Sequence, residues 1–389
     1  MPIINSIASA TPEMTEWRRD FHTHPEIAYE EHRTSDIVAA KLESWGIEVH
    51  RGLAGTGIVG VLKAGSGTGT IGLRADMDAL PMDEEADVPF KSVNPGKFHG
   101  CGHDGHTTML LGAARYLAET KNFDGTVHFI FQPAEEGGAG ARKMMDEGLF
   151  ERFPCDQVYG LHNWPGIPAG QIGVKAGPVM AAADRFSVRI EGKGGHAAFP
   201  HETVDPVMIA SQLVTSLQSL VSRSTSPLDN SVLSVTTLEA GSTFNVIPGT
   251  ATIGGTVRTF KADTRDMIEA GIERMANQLC AAYGAKAHID YWRGYPPTVN
   301  HEAETDFVAD VASEVVGEEG VDADIGSFMG AEDFAYMLEE RPGSYFFVGQ
   351  GGGPSDAMLH HPQYQFNDEI LPIGSSMFAR LVERSLARS

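Results

Sequence analysis

Between Phe98 and Thr107 the chain reads Phe-His-Gly-Cys-Gly-His-Asp-Gly-His-Thr, and no other stretch restricts the fold and its chemistry as tightly. Cys101, His103, Asp104 and His106 fall within six residues, glycines at 100, 102 and 105 let the backbone turn tightly, and apolar residues at helical spacing follow from Thr107 to Leu117. Thiol, imidazole and carboxylate donors gathered at a helix start point to a divalent metal. The segment alone leaves a second reading open, a buried thiol beside a helix-capping histidine. The remainder of the chain has to separate them.

With 389 residues the chain exceeds one ordinary core, so two domains are expected. Hydrophobic residues at 42% and charged residues at 21% describe a soluble globular chain. No apolar run is long enough to span a bilayer, and Met1-Pro-Ile-Ile-Asn-Ser lacks the basic-then-apolar layout of a secretory signal, which leads to the expectation of a cytoplasmic enzyme. Against 29 basic residues stand 52 acidic ones, a net charge of −23, which argues against a nucleic-acid or anionic-membrane partner. An anionic small substrate remains compatible with a local basic pocket. Three scattered cysteines, Cys101, Cys155 and Cys280, are too few for a disulfide framework and fit a reducing compartment. Only Cys101 stands among other donors.

Short strands are expected at 59–63, 70–74, 126–131, 158–161 and 344–348, with helices over 11–45, 107–118, around 140–149, 302–316 and from Pro372. Strands alternating with helices predict an α/β fold with a mostly parallel sheet. Ligands of such sheets bind beyond the carboxyl ends of the strands. Asp78, Glu135, Glu136 and His162 are all placed there by the sequence. One carboxylate at that end means little; four such residues joined by Cys101 and His103 make a metal-activating set. His22 and His24, one residue apart, are read as structural in preference to metal-binding. From 184 to 293 the texture changes to β-α-β-β-α-β, the order of a ferredoxin-like unit. The expected organisation is a catalytic segment 1–183, an inserted lid 184–293 and a second catalytic segment 294–389.

Five motifs in order then carry a resemblance: His99-Gly-Cys-Gly-His-Asp-Gly-His106, Gln132-Pro-Ala-Glu-Glu-Gly-Gly138, Gly160-Leu-His-Asn163, Gly194-Gly-His-Ala-Ala-Phe-Pro-His201 and His360-His-Pro362. Together they resemble the aminoacylase and carboxypeptidase type metallopeptidases, in the branch of hippurate hydrolase, bacterial N-acyl-L-amino-acid amidohydrolases and plant auxin-conjugate hydrolases. The resemblance implies a metal-binding α/β domain split by a ferredoxin-like lid that also makes a homodimer. It implies one or two divalent ions (zinc, manganese, nickel or cobalt) held by Cys101, His103, Glu136, His162 and His360, with Glu135 as general base. His360 is taken over His361 because related chains read His-Ser-Pro there. Other branches carry His-x-Asp where this chain reads Asp76-Met-Asp78, which puts the usual two-metal cage in question. By the same resemblance, the partner subunit's His196 steadies the oxyanion, and Asn245 and Arg258 grip the substrate carboxylate.

The implied reaction is hydrolysis of an N-acyl-L-amino acid to a carboxylic acid and a free amino acid. N-acetyl-diaminopimelate deacetylase and dipeptidase or carboxypeptidase activities are alternatives on the same scaffold. A cysteine hydrolase with Cys101 as nucleophile and His103 or His106 as base is a different class, and a non-enzymatic metal-binding protein is a third. The surplus of carboxylates and distant histidines weighs against the thiol mechanism, and a second acid beside Glu136 weighs against a storage site. The sequence leaves the roles of Asp78, Asp104, His106, Glu332 and Asp333 open.

Overall fold

The computed structural model describes residues 3–388, which divide into two compact units. The first comprises 1–177, 299–326 and 333–389; the second comprises 178–298 and 327–332.

The first unit is built on an eight-stranded sheet. Its strand order is Glu48–Leu53, Gly57–Ala64, Gly125–Gln132, Thr70–Asp76, Gln157–Pro168, Gly343–Gly351, Ile172–Gly173 and Val321–Asp322. The four central strands pair in parallel, and the antiparallel pairs lie to either side. Burial on both faces explains the near-continuous apolar run Val127, Phe129, Ile130 and Phe131, all with no exposed surface. Strands 57–64 and 70–76, neighbours in sequence across the glycine-rich turn, are separated in the sheet by 125–132.

Three differences from the sequence reading bear on the site. The helix expected from Thr107 begins at His103, so His103, Asp104 and His106 sit in its first turn. Gly102 makes this entry: its φ of +90° is left-handed, and a Cβ there would lie 2.3 Å from Asn163 Oδ1. Gly105, expected as a turn residue, is a helical residue against which the Phe366 ring packs; a Cβ would meet that ring at 2.1 Å. His162, expected just past a strand, lies within one. Strand 157–168 runs on because 343–351 pairs alongside it as far as Pro168.

In the second unit the sheet order is Ser231–Ala240, Thr250–Thr259, Ala182–Glu191, Lys286–Arg293, all antiparallel. Strand 182–191 alternates buried and exposed residues, so one face carries Phe186, Val188 and Ile190 into a core with Ile209, Leu213, Ile268 and Ile272 from the helices Pro206–Ser219 and Ala262–Ala282. Asp205 caps the first helix by accepting from the Val207 and Met208 amides, with Pro206 opening it.

One buried carboxylate ties the ends of this unit's strands. Asp184 Oδ2 accepts from Arg265 Nε at 2.9 Å and Tyr291 Oη at 2.7 Å, while Oδ1 accepts from Arg265 Nη2 at 2.5 Å and the Gly294 amide at 3.1 Å. Asp184→Ala strands the buried Arg265 cation and is expected to cost about 3–5 kcal/mol, read as a lowered midpoint in chemical denaturation.

Candidate metal centre

The central parallel strands deliver polar side chains to one end of the first unit's sheet. Strand 70–76 ends in Asp76 and continues to Asp78, strand 125–132 leads into the turn bearing Glu135 and Glu136, and strand 157–168 carries His162. The start of helix 103–120 adds Cys101 and His103. His360 arrives on a distant loop, where it adopts a left-handed φ of +65° and its amide donates to Gly100 O at 2.8 Å.

These groups interlock. Ligand atoms of Cys101, His103 and His162 lie within 4.8 Å of one another, as do those of Cys101, Glu136 and His360 and those of His103, Glu135 and Glu136. Cys101 Sγ is 3.4 Å from His162 Nε2, and His360 Nε2 is 3.1 Å from Glu136 Oε1. The neighbouring His361 turns elsewhere, its Nδ1 accepting from the Gln363 amide.

The tautomer of His162 follows from its partner. Nδ1 lies 2.7 Å from Asn163 O, which can only accept, so Nδ1 carries the proton and Nε2 keeps its lone pair toward Cys101. Burial and the nearby His106 hold this imidazole neutral, well below its usual pKa. His103 differs: burial works against its charge, but Asp76, Asp78 and Glu136 outweigh it and push the group up to about 10. Burial also opposes ionisation of Glu136, yet His360 and His103 hold its carboxyl below the usual range. Cys101 is pushed far up by burial and by Glu136, Glu135 and Asp76. A thiol nucleophile needs cationic, accessible surroundings, the opposite of these.

The donor set fits a divalent cation on an observation of its own. Both ring nitrogens of the fully buried His103 and Oε1 of Glu136 lack hydrogen bonds of acceptable geometry, although Asp78 Oδ1 stands 3.3 Å from His103 Nδ1. With Nδ1–H turned toward Asp78, a bound cation would take the lone pair of His103 Nε2 and the Glu136 Oε1 beside it, displacing the proton that the surrounding carboxylates otherwise hold on the ring.

Around the cluster runs a second layer that the sequence did not assign. Asp78 accepts from the amides of both Glu135 and Glu136, at 3.0 and 2.9 Å. Asp76, which stands where the resemblance to other branches would place a histidine, accepts from His106 Nδ1 at 2.6 Å and Arg74 Nη1 at 2.7 Å. Arg74 also donates to Gln132 Oε1 and Asp333 Oδ1, and the Asp333 amide lies 3.4 Å from Glu135 Oε1. Asp104 is turned away, accepting from His22 and Arg18, and His22 reaches Glu84 on its other side. Arg74 gave no signal in the sequence, because it reads as an ordinary strand residue until the sheet places it beside Gln132, which the sequence showed only as the first residue of a motif.

In the second unit His196 is exposed on a two-residue strand paired to Val246–Ile247, which sets it next to Asn245. Its Nδ1 accepts from the Ala198 amide at 3.1 Å, so the neutral ring carries its proton on Nε2. Arg258, half-buried in strand 250–259, donates to Val257 O and Thr256 Oγ1, and burial pulls its pKa down. These three residues belong to a different unit from the donor cluster.

Fold and donor set together define an α/β metallohydrolase. The chain belongs to the peptidase family M20/M25/M40, whose model matches residues 72–384. It is 39% identical over 386 residues to the hippurate hydrolase of Campylobacter jejuni, covering 99% of this chain and 100% of that one. To the N-acetyl-L-cysteine deacetylase of Bacillus subtilis it is 42% identical over 362 residues, covering 93% and 85%. The solved Bacillus subtilis YXEP protein, described as a dinuclear metal binding peptidase of the M20 family, matches with a TM-score of 0.85 at 34% identity, covering 97% of this chain and 99% of that one.

Asp78→Asn replaces one of the two accepting oxygens by an NH2 that faces a backbone donor, so cation affinity is expected to fall about 10–100-fold, measured by chelator competition.

Proposed function

We propose that the protein is a metal-dependent amidohydrolase that cleaves N-acyl-L-amino acids to a carboxylic acid and a free amino acid. The observation that carries this reading is the placement of a second acid, Glu135, within 4.8 Å of both His103 and Glu136. Cys101, His103, Glu136, His162 and His360 would hold the cation, one ion or two. When bound, a divalent cation polarises the scissile carbonyl and lowers the pKa of water. Glu135 then removes the proton from the attacking water and passes it to the departing amide nitrogen, which leaves as the free amine. Asp78 serves that transfer by fixing the backbone of the two glutamates, so that one carboxylate is committed to the cation and the other to the proton. The named relatives, a hippurate hydrolase and an N-acetyl-L-cysteine deacetylase, support an N-acyl amino acid as substrate. Thiolate and imidazole donors favour zinc, with manganese, nickel and cobalt as the alternatives.

The remaining assignments complete the proposal. The protein acts as a homodimer, and the partner subunit's His196 offers its Nε2–H to the developing oxyanion. Asn245 and Arg258 take the substrate carboxylate. Dimerisation is supported by apolar groups left uncovered in the second unit: Phe244 is fully exposed, and Leu238 on the edge strand and Val246 are about half exposed. A cytoplasmic location is supported by three unpaired cysteines. No helix among the described residues is long and apolar enough to cross a membrane.

Two experiments test this. Release of free amino acid from a panel of benzoyl- and acetyl-amino acids should vanish on chelation and return with one of zinc, manganese, cobalt or nickel; no release with any ion would overturn the amidohydrolase reading. Glu135→Gln and His196→Ala are each expected to be inactive. Mixed and allowed to exchange subunits, they should recover about a quarter of wild-type activity, since half the dimers are then mixed and each of these has one intact site. Mixtures that stay inactive despite demonstrated exchange would remove His196 from the neighbouring site.

A further inference from the structure

The stretch from His22 to Glu31 contributes nothing to the donor cluster, yet it is held against the cluster's most exacting element. Ile27 pairs in parallel with Ala79, and the Ala79 amide donates to Glu26 O at 2.8 Å, so this stretch runs alongside the Asp78 segment. Glu26 closes the start of helix His32–Ser44 by accepting from the Arg33 and Thr34 amides. Glu31, just before that helix, is fully buried. Its Oε1 accepts from the Ala134 amide at 2.9 Å and the Tyr29 amide at 3.0 Å, and its Oε2 accepts from Thr56 Oγ1 at 2.6 Å. Tyr29 Oη donates to Gly138 O at 2.6 Å. The turn 134–138 is therefore gripped at its first residue by Glu31, in its middle by Asp78 and at its last residue by Tyr29.

Two features show that this grip does more than fill space. Ala134 and Tyr29 both hold left-handed φ values, +55° and +65°, which a side chain adopts only when its surroundings impose them. Burial pushes the Glu31 carboxyl up to about 7, with Thr56 pulling it back and Asp78 pushing it further. An acid buried at that cost, within a cluster already crowded with carboxylates, is unfavourable for stability alone. Its return is geometric: it fixes the amide one residue before Glu135.

We propose that Glu31, assisted by Tyr29, is a positioning residue that holds the turn 134–138 so that Glu135 faces the attacking water, an inference that rests on the assignment of Glu135 as general base. Glu31 is not among the donor groups and acts through the Ala134 and Tyr29 amides that it holds. Displacement of a proton-transfer group by about 1 Å costs on the order of 100-fold in rate.

The experiment measures kcat, KM and bound-metal content for Glu31→Ala, Glu31→Gln, Tyr29→Phe and Glu135→Gln, and for Glu31→Ala and Tyr29→Phe each combined with Glu135→Gln. Glu31→Ala is expected to lower kcat about 10–100-fold with KM and metal content unchanged. Glu31→Gln should restore kcat to within about threefold of wild type, because its amide oxygen still accepts both backbone amides and its NH2 can donate to Thr56. Neither Glu31→Ala nor Tyr29→Phe should lower the residual rate of Glu135→Gln further, since a residue that works only through Glu135 has nothing left to position. If Glu31→Ala does not fold, Tyr29→Phe, which removes a single hydroxyl, carries the same double-variant comparison. Wild-type kcat in Glu31→Ala, loss of metal along with kcat, or equal losses with and without Glu135 would overturn the proposal. Full activity of Glu135→Gln would instead remove the general-base reading on which it stands.

Discussion

Carboxylates crowded at the carboxyl end of the central sheet set the terms for everything around them. Asp76, Asp78, Glu135 and Glu136 are gathered there with little access to water, and like charges in such surroundings repel strongly unless each is answered. The structure answers them one by one. Arg74 and His106 hold Asp76, which stays ionised well below its usual range despite burial. Two backbone amides hold Asp78. Glu136 faces His360 and His103, and Asp333 presents its amide to Glu135. What lacks a hydrogen bond of acceptable geometry among these groups includes His103 Nε2 and Glu136 Oε1, and a divalent cation would supply the missing partner.

This division separates carboxylates tied to the scaffold from groups left facing one another in the cluster. Asp76 stands where the resemblance to other branches would place a histidine, but with Arg74 and His106 bound to it the carboxylate is committed to the scaffold. Cys101 stands among the donors instead, 3.4 Å from His162. A buried thiol amid carboxylates resists ionisation on its own, so its chemistry depends on a cation and suits a ligand better than a nucleophile. Glu135 and Glu136, adjacent in sequence, have their backbone amides held by Asp78, and Glu31 holds the Ala134 amide just before them.

Much of this was legible in the letters. Strand 126–131 announced itself by its apolar run, and the helix 302–316 by its period. The order β-α-β-β-α-β gave the antiparallel sheet of the second unit. The donors Cys101, His103, Glu136 and His162 stood in recognisable motifs. Less legible was where elements begin and end. The helix at His103 starts four residues before its apolar period does, because Gly102 rather than a capping side chain makes the entry. Strand 157–168 outruns its apolar stretch because its neighbour's length, not its own composition, decides how far pairing continues.

By itself, then, the sequence determined the class of fold and the order of the motifs that carry the candidate donors, since these depend on local period and on side-chain type. Tertiary structure decided which partner each carboxylate meets. Glu26, Glu30 and Glu31 are alike as letters, yet one closes a helix, one pairs with Lys97 at the surface, and one is buried under the turn that carries Glu135. That difference is made by partners 67 to 103 residues away for the last two. Burial and hydrogen bonding between segments so far apart in sequence leave no periodic trace in it, and only the folded chain brings them into contact.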